Sequence, residues 1–369
     1  MPLLYQKYDI IIGMKLRENV PISELTTMRL GGSARFVAEV SSLQDLREAY
    51  EFAENGGISD TSAKTSDTKK PLPVFILGDG ANTIGRDEGF PGLIILNRLK
   101  GMEVVEETSD DVLVRAMGGE NWDAFVGFCS ERGYSGIECL SAIPGTVGAA
   151  PVQNIGAYGQ DISQTIDNVE AYDTKTHEMV VIGRDEMKMS YRSTIFNTGA
   201  DAGRYFITAV TLRLENDEKL EPPFYNSLQK YLDEHGISDY SPANIRAAVS
   251  AIRSEKLPDP AVEASAGSFF KNIHLSDEEA EEAKLKGLKI YDKPNGDHVL
   301  NAGWLIEAAG LKGKALPGGF HISDKAALIL INDSAKSYKD LEQARAEIVR
   351  AVFDKFGFKL SQEPVEIVA

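Results

Sequence analysis

Residues 143–159, IPGTVGAAPVQNIGAYG, constrain the fold of this chain more than any other stretch. Six of the seventeen residues are Gly or Pro, and most of the others are small. Glycine costs about 1 kcal/mol and proline about 3 kcal/mol inside a helix, which argues against a regular helix here. The stretch is also too apolar for a solvated linker. It is therefore either a tight crossover packed against a neighbouring element or the wall of a flat cofactor site, with backbone amides as donors.

The composition argues against several classes of partner. A chain of 369 residues is long enough for two or three domains, each with a sizeable core. Its 39 basic and 56 acidic residues give a formal net charge of −17, which argues against nucleic acid or an anionic membrane as the main partner. The charge does not exclude an anionic small molecule as the ligand, because binding it needs only a local cluster of basic groups.

The cysteines, histidines and hydropathy indicate a compartment. Cys129 and Cys139 are too few for a disulfide framework and suit a reducing environment. The five scattered histidines show no metal-ligand spacing, so we expect no metal. Residues 5–13 lack the basic front and the cleavage site of a signal peptide. No apolar run approaches the ~20 residues needed to span a bilayer. We therefore expect a soluble, cytoplasmic protein.

Strands and helices are predicted along the chain, and the strands at 169–172, 179–182 and 205–214 are typical of an α+β domain. An alternating strand is expected after Gly31-Gly32, and residues 56–70 are expected to form an exposed loop insertion. Further strands are predicted at 73–77, 92–96, 112–116, 169–172, 179–182, 205–214 and 326–332, with a strand-like tail at 360–367. Helices are predicted at 43–53, 121–131, 277–286, 302–309 and 338–356, with further helical segments within the polar residues 216–240. Tyr291 is expected in a polar loop just beyond the helix at 277–286.

A glycine-rich loop joins two of the predicted strands. Its residues are Gly78, Asp79, Gly80, Ala81, Asn82 and Thr83. This arrangement, a strand followed by a loop and a second strand, differs from the dinucleotide-binding fingerprint, in which the GxGxxG motif begins a helix. The loop is either a hairpin-like turn or an anion nest, in which successive backbone N–H groups point inward.

Two further residues are candidates for chemistry. Arg192, in SYRSTIF, is either a surface ion-pair partner or a bidentate carboxylate ligand. Ser268, in AGSFFKN, lacks the GxSxG motif and a histidine partner for a nucleophilic role. A serine held in place can still give a proton to a carbanion; the alternative is a turn residue bonded to its own backbone.

Six motifs occur in one order and together resemble a known family. They are GDGANT, SGIECLSAIPGTVGAAPVQNIGAYG, SYRSTIF, KLPDP followed by AGSFFKN, AGWLIEAAGLKG and a terminal glutamate. In this order they resemble UDP-N-acetylenolpyruvoylglucosamine reductases over roughly residues 24–369. The resemblance implies a vanillyl-alcohol-oxidase-type (PCMH-type) FAD-binding unit of two α+β subdomains plus a C-terminal α+β substrate-binding domain. The implied divisions are 24–217, split near 100, then 218–355, and a tail at 356–369 that returns to the active site.

The same resemblance implies an activity and its cofactors. Non-covalent FAD, reduced by NADPH, would serve to convert UDP-N-acetylglucosamine enolpyruvate to UDP-N-acetylmuramate in peptidoglycan precursor synthesis. NADPH would leave before the enolpyruvyl substrate enters the same site. The small-molecule substrate would be the partner of a monomeric enzyme. Another FAD-dependent oxidoreductase of this fold would leave Ser268 and the Lys256 region without a role. A non-catalytic UDP-sugar or flavin-binding protein would lack the catalytic side chains that are present here.

The resemblance also assigns residues. By this likeness Arg192 holds the substrate carboxylate, Ser268 protonates the carbanion and Glu363 is the active-site glutamate, with Glu366 as the competing choice because a family glutamate usually follows the proline directly. FAD would be bound by Gly78, Asp79, Gly80, Ala81, Asn82, Thr83, Pro144, Gly145, Thr146, Gly148, Ala149, Asn154, Gly156, Ala157 and Tyr158. The substrate would be contacted by Tyr191, Tyr225, Lys256, Asn272 and Tyr291. Ala81 stands where a serine is common, and Ala149-Ala150 replaces small or hydroxylated residues.

Overall fold

The first unit of the chain is a mixed sheet. The computed structural model describes residues 9–11, 14–57, 70–216, 219–292 and 296–369. The elements of this unit are β1 (Asp9–Ile11), β2 (Met14–Pro21), β3 (Ser33–Val40), α1 (Leu43–Glu54), β4 (Val74–Leu77), β5 (Thr83–Gly85) and β6 (Phe90–Asn97). The strand order is β1-β2-β3-β6-β4, and β6 runs parallel to both β3 and β4. A parallel strand buried on both faces reads as a continuous apolar run, as β6 does.

The second unit is a six-stranded sheet backed by a helix. Its elements are β7 (Met102–Glu107), β8 (Asp111–Met117), α2 (Trp122–Ser130), β9 (Tyr134–Ser135), β10 (Gly156–Ala157), β11 (Gln160–Asp161), β12 (Ile166–Asp173), β13 (Glu178–Gly183) and β14 (Tyr205–Asn216). The order is β13-β12-β14-β8-β7, with β9 also paired to β14. Between β9 and β10 the chain makes three short 3-10 turns, Glu138–Leu140, Val147–Ala149 and Pro151–Gln153. The glycine- and proline-rich stretch thus forms no long regular element.

The remaining elements complete the C-terminal part. They are α3 (Asn226–Glu234), α4 (Pro242–Lys256), β15 (Ala264–Ser268), β16 (Ile273–Leu275), α5 (Asp277–Leu285), β17 (Ile290–Asp292), β18 (His298–Leu300), α6 (Ala302–Ala308), β19 (Ala315–Leu316), β20 (Phe320–Ile322), β21 (Ile329–Asn332), α7 (Tyr338–Phe356) and β22 (Val365–Ile367). They form the sheets β15-β21-β20-β19 and β16-β18-β17. The core of this part also contains Met28, Leu30 and Ile84 of the first unit.

Helices α3 and α4 pack on the second unit. Their buried residues, among them Leu228 and Val249, share a core with Cys139, and Tyr158 packs against it. This packing favours grouping residues 219–256 with the second unit. The predicted domains, 24–217 with a division near 100, 218–355 and 356–369, stay predictions.

The tail returns to the first unit. Strand β22 pairs in parallel with β5, with Val365 opposite Thr83. Just before it, Gln362 forms an isolated antiparallel bridge with Phe270. The end of the chain is therefore held between the glycine-rich loop and the strand that carries Ser268.

Most predicted elements are confirmed, but the starts of two strands and the placement of Tyr291 are wrong. The strand of the tail begins at Val365 rather than at 360. Helix α7 spans the predicted residues, whereas β21 begins at Ile329 rather than at 326. Tyr291 was expected in a polar loop but lies in β17, where it is paired with Val299 of β18. This pairing depends on a distant strand that the local polar sequence does not reveal. The predicted insertion at 56–70 lies, from residue 58 to residue 69, outside the described residues.

Candidate active site

A cavity of about 380 Å³ lies where the first and second units meet. Residues 78–83 form one side, and residues 143–146, 148–150, 152–153 and 155 form much of the other. Val365 of the tail also contributes to the wall. The predicted cofactor-binding residues in this wall are Gly78, Asp79, Gly80, Ala81, Asn82, Thr83, Pro144, Gly145, Thr146, Gly148 and Ala149. The structure thus brings together the two stretches that the sequence singled out.

Glycine lets this loop pack closely against its neighbours, because it has no side chain. A Cβ on Gly78 would lie 2.5 Å from Thr146 Oγ1 of the opposite side. Gly80 has a φ of +66°, and a Cβ there would lie 2.1 Å from the carbonyl oxygen of Leu25. Only glycine tolerates both the left-handed backbone and that contact. The loop therefore presents bare backbone to the cavity, as a site for a flat, phosphate-bearing cofactor requires.

Four predicted cofactor residues lie outside this wall. Asn154 accepts a hydrogen bond from the Ser163 N–H and donates to the carbonyl of Ser190. Gly156 and Ala157 form β10, which pairs with β11. The Tyr158 ring stands edge-on to Tyr225, with centroids 5.8 Å apart. Their contact with a cofactor stays a prediction.

An ion pair joins Arg192 to the tail. Arg192 Nε lies 2.7 Å from Glu363 Oε1, and these side chains are only 18% and 10% exposed. Arg192 Nη1 donates to the Asn154 carbonyl at 2.9 Å. The arginine backbone is left-handed, with a φ of 53°, and the Asn197 side-chain amide donates to its carbonyl at 3.1 Å. These contacts hold the guanidinium at one position beside the tail.

Glu363 is buried beside basic groups. Burial raises the pKa of the Glu363 carboxyl above its ordinary value, while Arg192 and Lys271 pull in the opposite direction. Its backbone N–H donates to the carbonyl of Phe269 at 2.9 Å. This bond places Glu363 beside the residue that follows Ser268.

Ser268 ends strand β15, opposite Ile329 of β21. The side chain is half-buried, and across the described part of the chain its hydroxyl has no hydrogen-bond partner. The alternative of a serine bonded to its own backbone therefore finds no support in the geometry. A hydroxyl without a protein acceptor, next to the peptide that holds Glu363, is available to a bound molecule.

Glu366 is committed to a different network. Its oxygens accept hydrogen bonds from Arg86 at 2.5 and 2.8 Å, from the Tyr338 hydroxyl at 2.5 Å and from Arg345 at 3.2 Å. Burial acts to raise the pKa of the Glu366 carboxyl, but the hydrogen bonds from Tyr338, Arg86 and Gln362 outweigh it, and the pKa is lowered. Glu366 thus fastens the tail to α7 and to the loop after β5, whereas Glu363 faces Arg192.

The predicted substrate residues fall into three groups. Tyr191 and Asn272 adjoin the ion pair: the Tyr191 hydroxyl accepts from the Asn272 N–H at 3.2 Å. Tyr225 lies at the start of α3, within electrostatic range of Tyr291. Lys256, at the end of α4, is exposed and makes no ion pair with any described residue. Contacts among the described residues therefore link Tyr191 to Asn272 and Tyr225 to Tyr291, and the role of Lys256 stays a prediction.

Two residues at the site were missed by the sequence reasoning. Gln153 lines the cavity and lies between Asn82 and the Glu363 carbonyl. Lys271 interacts electrostatically with Glu363. Gln153 belongs to the constraining stretch, so its position was signalled, but its partners are far away in sequence. Lys271 carried no signal beyond its place after two phenylalanines.

Within the described ranges, no group of three or more His, Cys, Asp or Glu side chains is arranged to hold a metal ion. Among the same residues, no helix combines the length and the apolar character that crossing a membrane requires.

Comparison with known proteins identifies the family. Residues 259–367 match the family of UDP-N-acetylenolpyruvoylglucosamine reductase C-terminal domains, and residues 65–181 match that of FAD binding domains. A UDP-N-acetylenolpyruvoylglucosamine reductase of Ralstonia nicotianae is 36% identical, covering 95% of this chain and 99% of the relative. That of Burkholderia cenocepacia is 39% identical, over 95% of this chain and 97% of the relative.

A solved structure shows the same fold. The crystal structure of UDP-N-acetylenolpyruvylglucosamine reductase from Thermus caldophilus aligns with a TM-score of 0.63 at 22% identity, covering 96% of this chain and all of that one. The predicted PCMH-type α+β architecture is confirmed by this fold together with the two domain matches. The chain is a member of the UDP-N-acetylenolpyruvoylglucosamine reductase family, the FAD-dependent oxidoreductases that the sequence motifs resembled.

Proposed function

We propose that Arg192, Glu363 and Ser268 carry out the proton chemistry and carboxylate binding of this family's reaction. In that reaction UDP-N-acetylglucosamine enolpyruvate is reduced with NADPH to UDP-N-acetylmuramate, a peptidoglycan precursor. The observation that supports this assignment best is the buried pair of Arg192 and Glu363, 2.7 Å apart, beside the strand that ends at Ser268.

FAD fits the cavity that the two units enclose. Glycine at positions 78 and 80 leaves the backbone of this loop bare, because a Cβ on Gly78 would meet Thr146 Oγ1 and one on Gly80 would meet the carbonyl oxygen of Leu25. Residues 78–83 would hold the diphosphate, and residues 144–149 would lie along the flat ring. Bound FAD supplies the redox step, in which a hydride passes from NADPH to the substrate.

The three side chains meet the charge that develops in the substrate. When hydride reaches the methylene carbon of the enolpyruvyl group, negative charge appears on the carbon beside the carboxylate. Arg192 presents a fixed guanidinium to that carboxylate. Glu363, with its pKa raised by burial, is the group that can stay protonated and donate to the same oxygens. The Ser268 hydroxyl delivers a proton to the carbon.

The substrate sites beyond the reacting group follow from the tyrosines. Tyr191 and Asn272 adjoin Arg192 and would contact the enolpyruvyl end. Tyr225 and Tyr291, with 55% and 38% of their surfaces exposed, would contact the sugar nucleotide. Lys256 would reach the diphosphate only if the substrate extends along the end of α4. We further propose a cytoplasmic, monomeric enzyme.

The pH dependence follows from the raised pKa of Glu363. We expect the rate of flavin reoxidation by substrate to fall as the pH rises through that pKa, because the acid form is lost. In Glu363→Gln this alkaline limb should disappear. The folded state also binds this proton more tightly than the unfolded chain does. Protonation of Glu363 therefore contributes fully to the free energy of unfolding below its ordinary pKa of 4.5, and this contribution is lost as the pH rises through the pKa of the folded state. Stopped-flow reoxidation and denaturant melts against pH measure the two effects; an unchanged limb in the variant would contradict the assignment.

The glycine cradle makes a separate prediction. Gly80→Ala should purify with little flavin and bind added FAD at least about 10-fold more weakly, since the new Cβ displaces the loop from Leu25. Gly236→Ala is a matched control, because Gly236 has a φ of +63° and open space around its Cβ position. It should lose only about 1 kcal/mol of folding free energy. Flavin absorbance per protein and fluorescence titration with FAD report the difference. Equal flavin content in both variants would argue against the cradle.

The assignment as a whole is tested by turnover. The purified protein should show a flavin absorption spectrum, and NADPH oxidation should be accelerated by UDP-N-acetylglucosamine enolpyruvate. Product analysis should find UDP-N-acetylmuramate. A flavin-bearing protein whose NADPH oxidation ignores this substrate would refute the proposed function.

A further inference from the structure

We propose that Gln153 is a positioning residue that couples the glycine-rich cofactor loop to Glu363. This inference rests on the proposed role of Glu363. Gln153 is 9% exposed, lies in the wall of the cavity and faces two segments that are distant in sequence. Its Oε1 accepts from Asn82 Nδ2 at 2.5 Å, and its Nε2 donates to the Glu363 carbonyl at 3.4 Å.

The hydrogen-bond chemistry fixes the orientation of the Gln153 amide. A carbonyl oxygen only accepts, so the end that faces Glu363 must be the NH2 group. The oxygen is then left for Asn82, whose side-chain NH2 donates to it. Methionine at this position would keep the volume but would lose both bonds. The chain thus needs glutamine here for its two-ended polarity rather than for its size.

The same two segments are tied a second time through the backbone. The Val365 N–H donates to the Asn82 carbonyl at 3.0 Å, two residues after Glu363. On the other side, the Glu363 N–H donates to the Phe269 carbonyl at 2.9 Å. The Glu363 peptide is therefore gripped at its N–H by the Ser268 strand and at its carbonyl by the cofactor wall. Of these two contacts only the one from Gln153 comes from a side chain.

The consequence concerns the placement of the carboxyl group. The Gln153 contact is long for a hydrogen bond, and catalytic contacts commonly tighten once ligands are bound. If the cofactor diphosphate orders the glycine-rich loop, Asn82 is fixed in place. Asn82 would then fix Gln153, and Gln153 would fix the Glu363 peptide. Reduction by NADPH does not use Glu363, so only the half-reaction with the enolpyruvyl substrate depends on this grip.

A double-mutant cycle on the holoenzyme tests the inference. Gln153→Met should slow flavin reoxidation by substrate about 10- to 100-fold, the usual cost of misplacing a catalytic group. Reduction by NADPH should stay within about twofold of the wild type, and in a Glu363→Gln background Gln153→Met should slow reoxidation by no more than about twofold. Gln164→Met is the control, because Gln164 also donates to a carbonyl at 3.4 Å but is exposed. It should leave both half-reactions unchanged.

The outcomes separate the possible failures. Equal slowing by Gln153→Met in both backgrounds would overturn the coupling to Glu363, and equal slowing of both half-reactions would make Gln153 a flavin contact. If Glu363→Gln itself did not slow reoxidation, the proposed function of Glu363 would fail rather than the coupling. Should Gln153→Met not fold, Gln153→Glu decides. Its protonated form can still donate to the Glu363 carbonyl, so reoxidation should be restored at acid pH and lost as the new carboxyl ionises. A pH profile that matches the wild type would contradict the proposal.

Discussion

Replacing Ser268 with alanine is expected to slow flavin reoxidation by the enolpyruvyl substrate about 100- to 10,000-fold, the range that general acids typically contribute. The carbanion would then wait for a proton from solvent in a site that Arg192 and the tail enclose. Flavin reduction by NADPH should proceed at nearly the wild-type rate, because it needs no proton from this hydroxyl. Stopped-flow absorbance measures the two half-reactions separately.

The strand that carries Ser268 offers a matched control. Ser265 lies three residues earlier in β15 and is buried opposite Ile331. Ser265→Ala makes the same chemical change in the same strand and should leave the rate of reoxidation within about threefold of the wild type. If Ser268→Ala slowed both half-reactions equally, Ser268 would be a binding residue rather than the acid.

The two glutamates of the tail should respond in opposite ways. Glu363→Gln should slow reoxidation at least about 100-fold, because an amide is a far weaker acid than the buried carboxyl and stabilises the charge on the substrate oxygens less. Glu366→Gln should instead lower the free energy of unfolding by about 1 to 3 kcal/mol, since Arg86 and Arg345 lose a charged acceptor. At temperatures where it is folded, Glu366→Gln should turn over substrate within a few-fold of the wild type.

This pair serves as its own control, because both variants make the same chemical change three residues apart. Denaturant melts and half-reaction kinetics on the two proteins form a complete comparison. A large kinetic loss in Glu366→Gln, with Glu363→Gln near normal, would reverse the assignment of the active-site glutamate.

How much could be predicted from the sequence depended on whether a feature is local. Residues 143–159 and 78–83 were identified because glycine and proline limit the backbone by themselves, and both stretches lie in the cavity wall. The helix at 338–356 was also found, because its apolar spacing is a local pattern. In each case the side chains within one segment carry the information.

The features that the local sequence left open, or in the case of Tyr291 misplaced, depend on distant partners. Glu363 and Glu366 are equivalent by local sequence; what separates them is that one meets Arg192 and the other meets Arg86 and Arg345. Tyr291 lies in a strand only because Val299 pairs with it. Lys256 was grouped with the substrate residues by family likeness, and its exposed place at the end of α4 depends on how that helix packs on the second unit.

The pairing of β22 with β5 has a consequence for the order of assembly. Val365 and Thr83 are neighbours in this ladder, although most of the chain separates them in sequence. On the ribosome, the first two units can emerge and fold long before residues 363–367 leave the exit tunnel. The carboxyl group that faces Arg192 thus arrives after both units, and the cavity wall is complete only once Val365 of the same tail has docked. Contacts between such distant residues also slow folding, because a large loop must close before they form. In a nascent chain the cofactor loop can therefore be folded for some time before the catalytic site is complete.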